Sequence, residues 1–408
     1  MDCAGIEADP GSAGVSPPDF GAAHLVLQRH VDQRLLPGVC AAVQRHGQPL
    51  DGFCSGWADV ESRTPLRPDH IHRAFSNTKL VTSVLALRLA DEGRWSLDDP
   101  VKAWIPAFGR LRVMRPAAAG GVQVPDDTEP LQHDMTIRHL LTHQAGFSHG
   151  VFDPATPIYD AYHAAGIRRP DTTLAQLMDL LAELPLLFQP GCGWQYSLAT
   201  DVLARLCEIA CGEPFGDALQ RRVLGPLGMV DTGFVLRPDQ RPRWTTLYAG
   251  DPAEPMRPGL RRLDDTPWPG AWQQPVPRQS GAGGLFTTLA DMLALLDALR
   301  PGGTPLLEPA TRAQLFTDQL PAGRSVAFPD TGAIPGLGFG LAGAITRAAS
   351  ALAPEAAVGT LQWGGLAGTH WSIHPSSGLA VVLMTQRFMG FWHPFWFDYQ
   401  RRVHAAAG

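Results

Sequence analysis

The chain has 408 residues, of which 45% are hydrophobic and 18% charged, and its formal net charge is −6. That composition belongs to a globular protein with room for a large core and more than one lobe. The mild acidity leaves no basic footprint for nucleic acid or an anionic membrane surface, and no apolar run is long enough to span a bilayer.

Residues 1–20 read as a short disordered leader. They lack the basic start and apolar core of a secretory signal, so the expected location is cytoplasmic. Residues 21–35 carry a helical apolar period. Two β-rich runs around His46-Gly47 predict a hairpin. Residues 76–92 are apolar on almost every side, which predicts a buried helix stopped at Gly93. Helical patterns follow at 136–143, 173–185, 199–211 and 215–226, separated by Pro- and Gly-rich connections, and 232–280 is irregular. Two more helices are expected at 288–300 and 306–317, then strands near 358–363, 368–374 and 379–386, then a final helix with an aromatic face. The expected organisation is one α/β lobe built from 21–105 and 276–408, with a helical lobe, 106–275, inserted in it.

The six cysteines show no Cys-x-x-Cys spacing; Cys207 and Cys211 lie four apart on a helical pattern and read as core packing. The histidines form no metal-ligand spacing, so neither a metal nor a cofactor is expected. The chain contains only two lysines, Lys79 and Lys102, among 33 basic residues. Arginine has taken over surface cation duty, which makes each retained lysine informative: lysine can give up its proton when desolvated and arginine effectively cannot.

Lys79 stands three residues after Ser76. On a helix that spacing places both side chains on one face. Ser76 falls at the helix N-terminus, where free N–H groups and the dipole favour developing negative charge. Burial of the helix disfavours the ammonium form of Lys79, as a general base requires. Ser-x-x-Lys is a short motif that chance supplies often, the alternative being a capping serine followed by an exposed lysine.

Ser76-Asn77-Thr78-Lys79 resembles the first motif of the serine β-lactamase and penicillin-binding-protein superfamily. Trp194-Gln195-Tyr196-Ser197-Leu198 resembles its second, tyrosine motif, and Trp363-Gly364-Gly365-Leu366 its third. Arg138 to His143 with Ala145-Gly146-Phe147, and Gly281 to Leu285 before Thr288-Leu289-Ala290-Asp291, are lesser echoes. The resemblance spans roughly residues 20–400 and is strongest to the family VIII carboxylesterases and the related statin-type acyltransferases. It implies an α+β, β-lactamase-like fold: an antiparallel sheet flanked by helices, plus an inserted, mostly helical lobe.

The resemblance further implies that Ser76 attacks an ester carbonyl and that Lys79 and Tyr196 share base and acid duty as a coupled pair. The backbone amides of Ser76 and Leu366 would form the oxyanion hole. Trp363, Gly364, Gly365, His149 and Leu198 would contact a small-molecule ester. Leu198 and Trp363 stand where lactam-binding relatives carry polar groups, which favours an ester over a lactam. Acyl transfer to an alcohol, amide or β-lactam hydrolysis, and a silent binding protein are the alternatives. Trp363, Trp371, Trp392 and Trp396 could shape an acyl pocket, although the last two read equally well as core. Gly146-Phe147-Ser148-His149-Gly150 fits the nucleophile elbow of α/β-hydrolases, but that motif needs a strand before it and a helix after it, and the flanking sequence offers neither.

Overall fold

The computed structural model describes residues 18–117, 121–154, 156–263, 265–329 and 331–408. The expected leader lies outside the described residues as far as position 17, and Phe20 is already buried in a core cluster, so ordered packing begins before residue 21.

The sheet has eight strands, drawn from both ends of the chain. The N-terminal part supplies β1 (Gly38–Arg45), β2 (Gln48–Asp59) and β3 (Thr64–Pro65). The C-terminal part supplies β4 (Leu337–Phe339), β5 (Ala344–Thr346), β6 (Leu361–Gly364), β7 (His370–His374) and β8 (Leu379–Thr385). The order is β4-β5-β6-β7-β8-β1-β2-β3, with every neighbouring pair antiparallel. His46 and Gly47 both take positive φ, 51° and 79°, the backbone a tight hairpin needs between right-twisted strands.

β8 is buried along its whole length because it lies mid-sheet with both faces covered, which explains its unbroken apolar sequence. On one face Val39, Ala41 and Val43 join Leu379, Val381 and Leu383 under α1 (Gly21–Asp32) and the C-terminal helix Pro394–Ala407. On the other face Cys40, Ala380, Val382 and Met384 belong to the main core. That core holds α2 (Thr78–Asp91), α3 (Ile137–Leu141), α4 (Pro157–Ala164), α5 (Leu174–Ala182), α6 (Ala199–Cys211), α7 (Phe215–Leu219) and α8 (Leu289–Leu299). Cys207 lies in this core and Cys211 packs against it. α9 (Pro309–Gln314) is shorter than the pattern at 306–317 predicted, and α4 and strands β4 and β5 had no sequence signal assigned to them.

Cys40 and Cys54 face each other across β1 and β2 and are joined by a disulfide, a pairing the sequence spacing did not reveal. Among the described residues, no helix is long and apolar enough to cross a membrane.

Candidate active site

The turn Phe75–Asn77 delivers Ser76 to the start of α2. Phe75 has φ of 44°, a left-handed conformation that costs a non-glycine residue on the order of 1–3 kcal/mol. The surroundings hold it there. Ala74 N donates to Leu285 O at 3.0 Å, Leu285 N donates to Thr78 Oγ1 at 3.1 Å, and the Phe75 ring packs edge-on to Trp272 at 5.5 Å.

Lys79 is 5% exposed, and its helix is buried nearly all round, as the apolar sequence requires. Its Nζ donates to Ala282 O at 2.8 Å, sits 3.5 Å from Ser76 Oγ, and lies 4.6 Å from the centre of the Tyr196 ring. Ala282 is fixed in turn: Thr82 Oγ1 donates to Gly281 O at 2.8 Å, and the Asp201 carboxylate accepts from Ala282 N at 3.2 Å. A Cβ on Gly281 would fall 2.6 Å from Ala204 Cβ, so only glycine lets this segment wedge against α6.

Tyr196 stands on the loop before α6, and its hydroxyl accepts from Trp363 Nε1 at 3.3 Å. Two imidazoles flank its ring: His143 at 4.9 Å, and His149 stacked nearly parallel at 5.3 Å. Burial holds both well below the ordinary histidine range, and the Lys79 cation lowers both further. Both are therefore neutral.

The end of β6 comes against the Ser76 turn. A Cβ on Gly365 would lie 2.3 Å from Ala74 O, and one on Gly364 would lie 2.4 Å from His370 Nδ1. Both positions thus require glycine for close approach. Ser76 and Leu366 line the same cavity, and neither backbone amide has a hydrogen-bond acceptor among the described residues. Two amide donors left free around one serine can receive a developing oxyanion.

Two spaces open from Ser76. A nook of about 20 Å³ is walled by Phe152, Tyr196, Phe328, Trp363, Gly364 and Phe391. A chamber of about 320 Å³ opens from the same serine and is lined in part by His149, Leu198, Phe234, Trp268 and Trp272. Trp392 and Trp396 line a separate cavity beyond Trp363, and Trp371 is fully buried, so Trp363 is the one tryptophan of the four beside Ser76.

The alternative serine is placed differently. Ser148 is fully buried, its hydroxyl donates to Asp153, and its backbone carbonyl accepts from Leu198 N at 3.1 Å. No strand leads into it and α4 begins only at Pro157, so the strand–turn–helix context of a nucleophile elbow is missing there.

The beta-lactamase family profile matches residues 25–396. The chain belongs to this family. It is 36% identical over 376 residues to Esterase EstB of Burkholderia gladioli, covering 88% of each chain. Among solved structures, EstCE1, "a hydrolase with promiscuous acyltransferase activity", superposes with a TM-score of 0.77 at 29% identity, covering 94% of this chain and 97% of EstCE1. Simvastatin synthase LovD of Aspergillus terreus shares the fold with a TM-score of 0.78, at 22% identity and with coverage of 96% and 99%.

Several residues around Ser76 escaped the sequence reading as site residues. Ala282 falls within the Gly281 to Leu285 echo, but what it contributes is a carbonyl, which no side-chain pattern advertises. Phe152 and Phe328 come from segments without periodicity. Asp201 stands five residues after Tyr196, and that spacing was its only available signal.

Proposed function

We propose that the protein is a serine carboxylesterase that works through an acyl-enzyme on Ser76. The observation that carries this reading is the buried Lys79 amine, 3.5 Å from Ser76 Oγ and 4.6 Å from the Tyr196 ring. Serine needs a base to become nucleophilic, and a buried lysine with no carboxylate partner among the described residues can act as one. In this scheme Ser76 attacks, Lys79 with Tyr196 takes the proton, and the amides of Ser76 and Leu366 receive the oxyanion. The Tyr196 hydroxyl returns a proton to the leaving alcohol, then helps activate water. No cofactor enters the scheme.

The ester preference rests on the apolar Leu198 and Trp363 beside the serine, and on the 36% identity to Esterase EstB. The nook is about the size of one water and suits a short acyl group, while a larger alcohol needs the chamber. Turnover of p-nitrophenyl esters should therefore fall at least tenfold from acetate to octanoate, and benzylpenicillin should be cleaved far more slowly than the acetate. Faster cleavage of benzylpenicillin than of any ester would overturn the reading.

The chamber also favours a second reading, transfer of the acyl group to an alcohol, because it has room for an acceptor larger than water. Product analysis with added alcohol separates the two: transfer yields a new ester, hydrolysis only the acid. The Cys40–Cys54 bridge fits an oxidising compartment better than the cytoplasmic location suggested by residues 1–20.

A further inference from the structure

Two arginines face the chamber that opens from Ser76, Arg168 and Arg278. They come from different segments and are held by backbone carbonyls rather than carboxylates. Arg168 Nη1 donates to Gly150 O at 3.3 Å. Arg278 Nη1 donates to Ile167 O at 2.7 Å, and its Nη2 donates to Arg169 O. Neither makes an ion pair among the described residues, whereas Arg169 and Arg205 do. Arg169 takes Asp171 at 2.6 Å, and Arg205 takes Glu208 at 2.9 Å.

Among the described residues, one carboxylate, Asp201, shares the chamber wall. Its Oδ1 accepts from Ser280 Oγ at 2.7 Å and from Ala282 N at 3.2 Å, so it is committed to the segment that holds Lys79. His149, also on the wall, is neutral. Among the described residues, two guanidiniums against one engaged carboxylate leave the wall with net positive charge and unused N–H donors. Trp268 and Trp272, which line the same chamber, stack at 6.5 Å and offer an aromatic surface. Flat apolar area with planar cationic forks beside it is the chemistry that recognises a carboxylate on an aromatic or otherwise flat group.

We infer that the preferred substrates are esters of a carboxylate-bearing alcohol or phenol, with a short acyl group at Ser76 and the anionic part held in the chamber by Arg168 and Arg278. This rests on the esterase reading above. It puts the anion on two arginines of the chamber wall rather than on positions 198 and 363, where lactam-binding relatives carry their polar groups.

The test compares 4-acetoxybenzoate with 4-acetoxybenzamide, which share a ring and an acetyl group and differ in charge. The intact protein should cleave the carboxylate with a kcat/KM at least tenfold higher in low salt, mainly through KM. In Arg168→Met that ratio should drop at least tenfold. Calorimetric titration of the unaltered protein with 4-hydroxybenzoate and 4-hydroxybenzamide gives a readout independent of turnover, and the anion should bind at least tenfold more tightly. Equal kcat/KM for the two acetates, equal binding of the two phenols, or an unchanged ratio in Arg168→Met would each overturn the inference. Failure to cleave either acetate while the anion still binds selectively would sink the esterase reading and leave the anion site standing.

Discussion

Lys79→Arg should lower kcat/KM for p-nitrophenyl acetate by at least a thousandfold while the protein stays folded. A thousandfold loss corresponds to about 4 kcal/mol of transition-state stabilisation. The amine sits between Ser76 Oγ and Ala282 O, and among the described residues its hydrogen bonds go to these two atoms, with the Tyr196 ring beside it. Arginine preserves charge and approximate length but keeps its proton at any working pH, and its planar fork does not fit a point-like site. The control is the other lysine. Lys102 is half-exposed and pairs with Asp134 at 2.8 Å on the surface, so Lys102→Arg should stay within twofold. A Lys79→Arg protein retaining more than a tenth of the activity would remove Lys79 from the chemistry.

Stability should fall as the pH drops from about 6.5, before most carboxylates titrate. Burial holds His72 and His370 down to about 3 and His393 and His404 to about 4, and it holds His143 and His149 well below the usual range. In the unfolded chain these imidazoles take up protons as the pH passes through about 6.5, whereas in the fold they stay neutral. The unfolded state then binds more protons, so unfolding is favoured by about 1.4 kcal/mol per pH unit for each such histidine. The effect is absent above pH ~7 and grows until the folded-state values are reached. For a chain of this length the melting temperature should drop by about 5–10 °C between pH 7 and 5.5. A melting temperature that is flat to pH 5 would mean these sites accept protons without cost.

The legible parts of the fold and site were the local ones. Ser76 and Lys79 were readable because one helical turn fixes their separation, and the hairpin was readable because His46-Gly47 interrupts two β-rich runs. The Tyr196 contact with Trp363 joins residues far apart in the chain, and the family motifs, rather than any periodicity, pointed to both. The Cys40–Cys54 pair shows why some features stayed hidden. A regular hairpin closed at His46-Gly47 would set Cys40 opposite Phe53. The register shift between Val43 and Gln44 moves it opposite Cys54, and nothing in the sequence announces that bulge. Arg168 and Arg278 were unreadable for a similar reason. They sit in irregular segments that only the folded chain brings to one wall.

The shape of the site also bears on its chemistry. The strained turn at Phe75, the glycines at 281, 364 and 365, and the neutral histidines around Tyr196 all act on one small volume around Ser76. Each breaks a local preference for backbone or burial, and such departures are expected where a fold serves a function.

The central claim is that Ser76 is the nucleophile. The most direct measurement treats the intact protein with a fluorophosphonate and maps the adduct by peptide mass spectrometry. The account predicts one stoichiometric adduct, on Ser76, that disappears in Ser76→Ala together with ester hydrolysis. An active protein that carries no adduct, or carries it on Ser148 or another residue, would contradict it.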